Sequence, residues 1–212
     1  MFDYIDTCSM DSLGTIVPDF IVFTEEILER LTPEERVCIG LKYKVSVFLQ
    51  NSNDLVAIRG HPLLWETPDL RLEPDTAVKY ERARRQAVEA KLWAMGNIEV
   101  RDLHIAGAFR SQKEQQKLLK EGRTLSKYSW HLSGRAIDIS VVYFTEEQKD
   151  KLQEIFETEG FTTFIEYHGW LEDTRKQSTR IKDPIARRKA TTFHFECKVL
   201  GKTAHEQAQL FN

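Results

Sequence analysis

The chain has 212 residues, 41% of them hydrophobic, with a formal net charge of −3 and a pI near 6.1. This length suits one medium domain with additions, enough to bury a sizeable core. The slight acidity argues against a general nucleic-acid or membrane-surface binder, which needs a basic excess.

Met1 to Thr7 lacks the basic start and apolar core of a secretory signal, and no run approaches the roughly 18 apolar residues of a membrane span. The expectation is synthesis ending in the cytoplasm, with no membrane or nucleic-acid partner. Cys8, Cys38 and Cys197 are far apart and form no Cys-x-x-Cys pair, which fits reduced thiols.

Thr24 and Thr32 each precede acidic residues, the second with Pro33 between, so each reads as the cap of a short helix. Val45–Leu49 and Leu55–Arg59 are strand-like runs split by Asn51–Asp54, which predicts a hairpin. His61-Pro62, Trp65 and Pro68 mark an irregular crossing, where His61 reads as a loop residue. From Asp75 to Asn97 an apolar side of Val78, Ala83, Ala87, Ala90, Leu92 and Met95 predicts the longest helix, capped by Asp75 and joining the two halves. Residues 98–106 read as a strand whose phase shifts at Leu103, and His104 is taken as structural.

Ser111 to Gly122 reads as a helix capped by serine and ended by glycine, with Arg110 at its positive end. Such a corner suits a carboxylate or a developing oxyanion. After the Ser133-Gly134 reversal, alternation on a strand puts Ile137, Ile139 and Val141 on one face and Ala136, Asp138 and Ser140 on the other. His131 is thereby brought near Asp138. Thr145 to Gly160 is a helix, Phe161 to Glu166 a strand, and Tyr167-His168-Gly169-Trp170 a loop from which Glu166 could reach a site. Arg175 to Lys189 holds seven basic residues against the single acid Asp183 and reads as an exposed loop. In Thr192 to Cys197 the same alternation turns Phe193, Phe195 and Cys197 to the core and Thr192, His194 and Glu196 to the site side. His131, Asp138 and His194 together make a nitrogen-oxygen-nitrogen set of the type that holds a catalytic zinc and leaves a position for water.

The residues Ser129-x-His131-x-x-Gly134-x-Ala136-x-Asp138 resemble the signature of the zinc D-alanyl-D-alanine carboxypeptidases and dipeptidases of the vancomycin-resistance type, and equally that of the L-alanyl-D-glutamate peptidases used as phage endolysins. Gly107-Ala-Phe-Arg110-Ser111, Gln115 and His194-Phe-Glu196 are similar to further elements of that family, so the resemblance covers roughly residues 98–200. It implies zinc on His131, Asp138 and His194, with Arg110 stabilising charge on the substrate carbonyl and Ser129 touching substrate. It also implies hydrolysis of peptidoglycan stem peptides at the bacterial cell wall, after release or from a virion. The family carries an acid three residues before its last histidine, as general base, where this chain has Thr191. A hydroxyl cannot serve at neutral pH, so Glu166 or Glu196 is expected to assist proton transfer.

The expected architecture is α+β: a small antiparallel sheet with the zinc on one face and helices on the other, over residues 76–212. Residues 1–75 read as a mixed N-terminal extension, available for docking to other phage structural proteins. The competing reading is a virion or tail component whose peptidase-like domain has lost catalysis, with Thr191 as the mark of that loss.

Overall fold

Side-chain caps set the helix starts. The computed structural model describes residues 25–49, 53–63, 68–93, 101–122, 124, 126–166, 179–180, 190–199 and 201–208. Helix α1 spans Glu25–Arg30 and α2 Pro33–Tyr43, the latter begun by Thr32 and Glu35, which bond each other's backbone N–H. Ser111 with Glu114 opens α4 (Gln112–Lys120), and Thr145 with Gln148 opens α5 (Glu146–Thr158), in the same reciprocal way. The last helix, α6, is Ala204–Ala208.

Helix α3 departs from expectation at both ends. It runs Pro74–Glu89, and its cap is Glu73, whose carboxylate accepts from the N–H groups of Asp75 and Thr76. The chain leaves the helix early because Leu92 N–H donates to Ala87 O while Lys91 takes a φ of 58°, a left-handed ending that satisfies the last carbonyls. Gly96 and Asn97, expected to end it, lie outside the described residues.

Among the described residues there are eight short strands, in chain order β1 (Val56–Ala57), β2 (His61–Pro62), β3 (Arg71–Leu72), β4 (His104–Gly107), β5 (Ala136–Ser140), β6 (Thr162–Glu166), β7 (Thr179–Arg180) and β8 (Thr192–Glu196). Strands β1 and β3 pair antiparallel by themselves, so the hairpin expected between residues 45–49 and 55–59 does not form. Ile58 N–H bonds to Leu70 O, and Asp54, from the expected turn, is drawn to the buried Arg36. The remaining strands form one sheet in the order β2-β4-β5-β8-β6-β7, antiparallel except for the β2–β4 pair.

The fold is therefore α+β, with the central strands β5 and β8 in the register that alternation requires. Ile137 lies opposite Phe195, and Ile139 opposite Phe193. All four are fully buried in the core that Phe156 and Leu152 of α5 and Ala83 and Ala87 of α3 complete. Phe156 stacks on Phe195 with ring centroids 4.0 Å apart, which fixes α5 on this face.

Residues before 75 contribute a strand to the main sheet and pack on the turn that carries His131. Strand β2 belongs to the main sheet, Glu73 N–H bonds to Gly134 O, and Glu73 forms a buried ion pair with Arg135 at 3.0 Å. A Cβ on Gly134 would meet Leu55 at 2.6 Å and Glu73 N at 2.7 Å, so residues 55–73 pack on the turn that carries His131. Cys38 is disulfide-bonded, against the expectation of reduced thiols, whereas Cys197 is a buried free thiol. No described helix is long and apolar enough to cross a membrane. The loop expected at 167–170 and all of the basic run 175–189 except Thr179–Arg180 lie outside the described residues.

Candidate metal centre

On the other face of the central strands, register does the assembling. Asp138 lies opposite His194, and His194 opposite Phe164, so one row crosses β5, β8 and β6. The third ligand-type residue arrives on a 3₁₀ turn, Trp130–Ser133, whose start is capped by Ser129: its hydroxyl accepts from His131 N–H at 3.4 Å. Gly134 ends the turn at φ 64°, a left-handed angle that suits glycine, and the chain enters β5. His131, Asp138 and His194 thereby offer one ligand atom each within 4.8 Å of one another, and all three are buried.

The hydrogen-bond pattern decides which ring nitrogens face inward. His131 Nδ1 lies 2.5 Å from the Ala108 carbonyl, which can only accept, so this nitrogen carries the proton. Burial pushes the His131 imidazole below its ordinary value against the opposing pull of Asp138, so the ring is neutral near pH 7 and Nε2 is a bare lone pair. Nε2 lies 3.1 Å from Asp138 Oδ2 but is not aligned with it, so it makes no hydrogen bond. On the other side His194 Nδ1 is 2.6 Å from Asp138 Oδ1, while its Nε2 is 3.0 Å from Glu196 Oε1.

Among the described residues the nitrogens of the two rings approach four acceptor oxygens: Ala108 O, both Asp138 oxygens and Glu196 Oε1. With Nδ1 of His131 protonated toward Ala108 O, Nε2 is the nitrogen that this ring offers beside Asp138. Burial opposes charge on Asp138, but His131 and His194 outweigh it and hold the carboxyl well below the usual carboxylate range, so the acid is ionised. Two imidazoles and an ionised carboxylate gathered out of water, with the Arg110 guanidinium 3.5 Å from Asp138 Oδ2, make a group that could hold a metal ion. The donor set of two imidazoles and one carboxylate fits zinc.

The surroundings preserve room for this cluster. A Cβ on Gly107 would stand 2.6 Å from Asp138 Oδ2, so glycine is required where β4 passes the carboxylate. Arg110 N–H is tied to His131 O at 3.1 Å, and its guanidinium lies 3.5 Å from Asp138 Oδ2. The buried Gln115 accepts from Arg110 Nη1 at 3.1 Å and donates to Ser126 O at 2.6 Å, which holds the arginine at the cluster's edge.

Of the residues singled out in the sequence, His131, Asp138, His194 and Arg110 therefore come together. Ser129 is placed as a turn cap. Glu196 is adjacent but spends its carboxylate elsewhere: Oε1 meets His194 Nε2, and Oε2 lies 3.1 Å from Lys198 Nζ. It thus sits behind the ring, away from the nitrogen that faces Asp138. Glu166 pairs with Thr192, one row along from the Asp138–His194–Phe164 row, about 7 Å at strand rise. Thr191 stands just before β8, its carbonyl accepting from Val141 N–H. Sequence reasoning missed the Ala108 carbonyl, which no side-chain pattern reports. Neither a protein-family model nor a curated protein matches the chain.

Proposed function

We propose that the protein is a zinc-dependent peptidase that hydrolyses a peptide bond in peptidoglycan stem peptides. The observation that carries this reading is the bare, buried His131 Nε2 beside Asp138 Oδ2 while its opposite nitrogen is tied to Ala108 O. His131, Asp138 and His194 would hold the metal. When bound, zinc supplies Lewis-acid activation of water and of a scissile carbonyl. Arg110, fixed by Gln115 and by its own N–H to His131 O, presents a guanidinium at the cluster's edge, where it binds the carbonyl oxygen as negative charge develops. With Glu196 engaged by His194 and Lys198, Glu166 is the acid assigned to proton transfer, from its row beside the cluster. The substrate class comes from the motif resemblance at residues 129–138, 107–111 and 194–196.

A second reading rests on Thr191: a wall-binding or virion component that keeps the metal and lacks turnover. Mass spectrometry of muropeptides after incubation with zinc-loaded protein separates the two. The peptidase reading expects new cleaved stems, and loss of about 10²–10⁴-fold in rate for Glu166→Gln with zinc content unchanged. Intact muropeptides from zinc-loaded wild type, with activity appearing in Thr191→Glu, would establish the second reading instead.

A further inference from the structure

The geometry points to Glu196 as a positioning residue that fixes the His194 tautomer, and so aims the Nδ1 lone pair into the Asp138 cluster. This inference rests on reading the cluster as a metal centre, and it concerns how tightly that centre holds zinc rather than what it catalyses. An imidazole has two exchangeable tautomers, and a neutral ring donates from only one nitrogen. The acceptor at the rear nitrogen therefore selects which nitrogen remains a ligand. For His131 that acceptor is the Ala108 carbonyl, a backbone group held by the fold. For His194 it is Glu196 Oε1, 3.0 Å from Nε2.

Three features suit Glu196 to this work. Residues two apart on β8 share a face, which brings the carboxylate alongside the ring. Its cross-strand neighbours are Ala136 on β5 and Thr162 on β6, both small, so the side chain has space to lean along the strand toward His194. Its second oxygen is anchored by Lys198 Nζ at 3.1 Å, and that ammonium also lies 5.1 Å from the Phe164 ring centroid. Phe164 itself packs beside His194 with centroids 6.0 Å apart. The chain Lys198–Glu196–His194 is thus braced at each link, and its charge raises the basicity of the ligating nitrogen.

The test measures zinc affinity by chelator competition together with the ring ¹⁵N shifts of His194, on the full chain. Glu196→Ala should weaken zinc binding by about 10–100-fold, the usual effect of removing such a partner, and should mix the two His194 tautomers in the metal-free protein. Glu196→Gln keeps an oxygen that accepts from Nε2, so it should hold the Nε2–H tautomer and recover most of the lost affinity. Lys198→Met, remote from the ring, should weaken zinc less than Glu196→Ala. Wild-type zinc affinity in a folded Glu196→Ala protein would overturn the inference and leave the metal centre standing. An unshifted tautomer in that variant would also overturn it. If wild type takes no zinc while Glu196→Ala still shifts the tautomer, the metal reading fails and the positioning contact alone survives.

Discussion

Two buried carboxylates flank the start of β5, and they are provided for in opposite ways. Glu73 is surrounded by donors: Asp75 N–H reaches Oε1 at 3.1 Å, Thr76 N–H and hydroxyl reach Oε2 at 3.0 and 3.1 Å, and the Arg135 guanidinium adds its charge at 3.0 Å. Asp138, three residues beyond Arg135, is faced by the nitrogens of two histidines, with Arg110 3.5 Å away. Both acids are almost wholly out of water. The first is complete as the protein stands, and its work is to cap α3 and fasten residues 55–73 to the 3₁₀ turn. The second belongs to a group that could hold a metal ion. A buried acid ringed by donors is architecture, whereas one set between two histidines is a candidate ligand.

The largest effect should come from breaking the finished cluster. Arg135→Ala leaves Glu73, whose carboxyl burial already pushes above its ordinary value, buried without its counter-charge, and also strips the guanidinium from Phe48, whose ring centroid lies 4.0 Å away. Urea unfolding should show a loss of about 3–5 kcal/mol. Asp138→Asn in metal-free protein removes a charge that His131 and His194 hold ionised, so it should cost about 1–2 kcal/mol, less than Arg135→Ala. A comparable loss in both variants would erase the distinction between the two acids.

Zinc should next reverse the ranking. At about 100 times its dissociation constant, a ligand that binds only the folded chain adds about 2.7 kcal/mol. Calorimetric or urea midpoints should rise by that amount in wild type and in a folded Glu73 variant, and not in Asp138→Asn. A zinc-induced rise that persists in Asp138→Asn would place the ion elsewhere.

A smaller effect is expected with pH in the metal-free protein. Burial pushes His131 and His104 below their ordinary 6.5, in His104 with help from neighbouring His61. The unfolded chain then takes these protons first, so the stability they contribute is held above about pH 6.5 and lost as pH falls through that value toward the folded pKa. Urea midpoints measured from about pH 7.5 down to 5.5 should fall, and His131→Asn should flatten the decline. A flat wild-type profile would mean that the buried His131 ring is not held neutral by the fold.

Much of the site was legible because strand alternation is strict. His194 and Glu196 on β8 and Asp138 on β5 take their shared face from a two-residue period, and the caps at Thr32, Ser111 and Thr145 declare themselves by side-chain type. What could not be read depended on contacts between distant parts of the chain. The Glu73–Arg135 pair joins residues far apart in sequence, so Asp75 looked like the cap. Residues 45–49 resemble a strand, and Val47 is fully buried, yet β1 spends its hydrogen bonds on β3. The direction of Glu196, behind His194, follows from the small residues flanking it on β5 and β6, which only the register of three strands reveals.

The most direct test of the metal centre is zinc content after loading and exhaustive dialysis, measured on wild type and on Asp138→Ala proteins shown to be folded by their unfolding curves. About one zinc per wild-type chain, and almost none in Asp138→Ala, is the result expected if His131, Asp138 and His194 hold the metal. Full zinc occupancy in Asp138→Ala, or none in wild type, would contradict it.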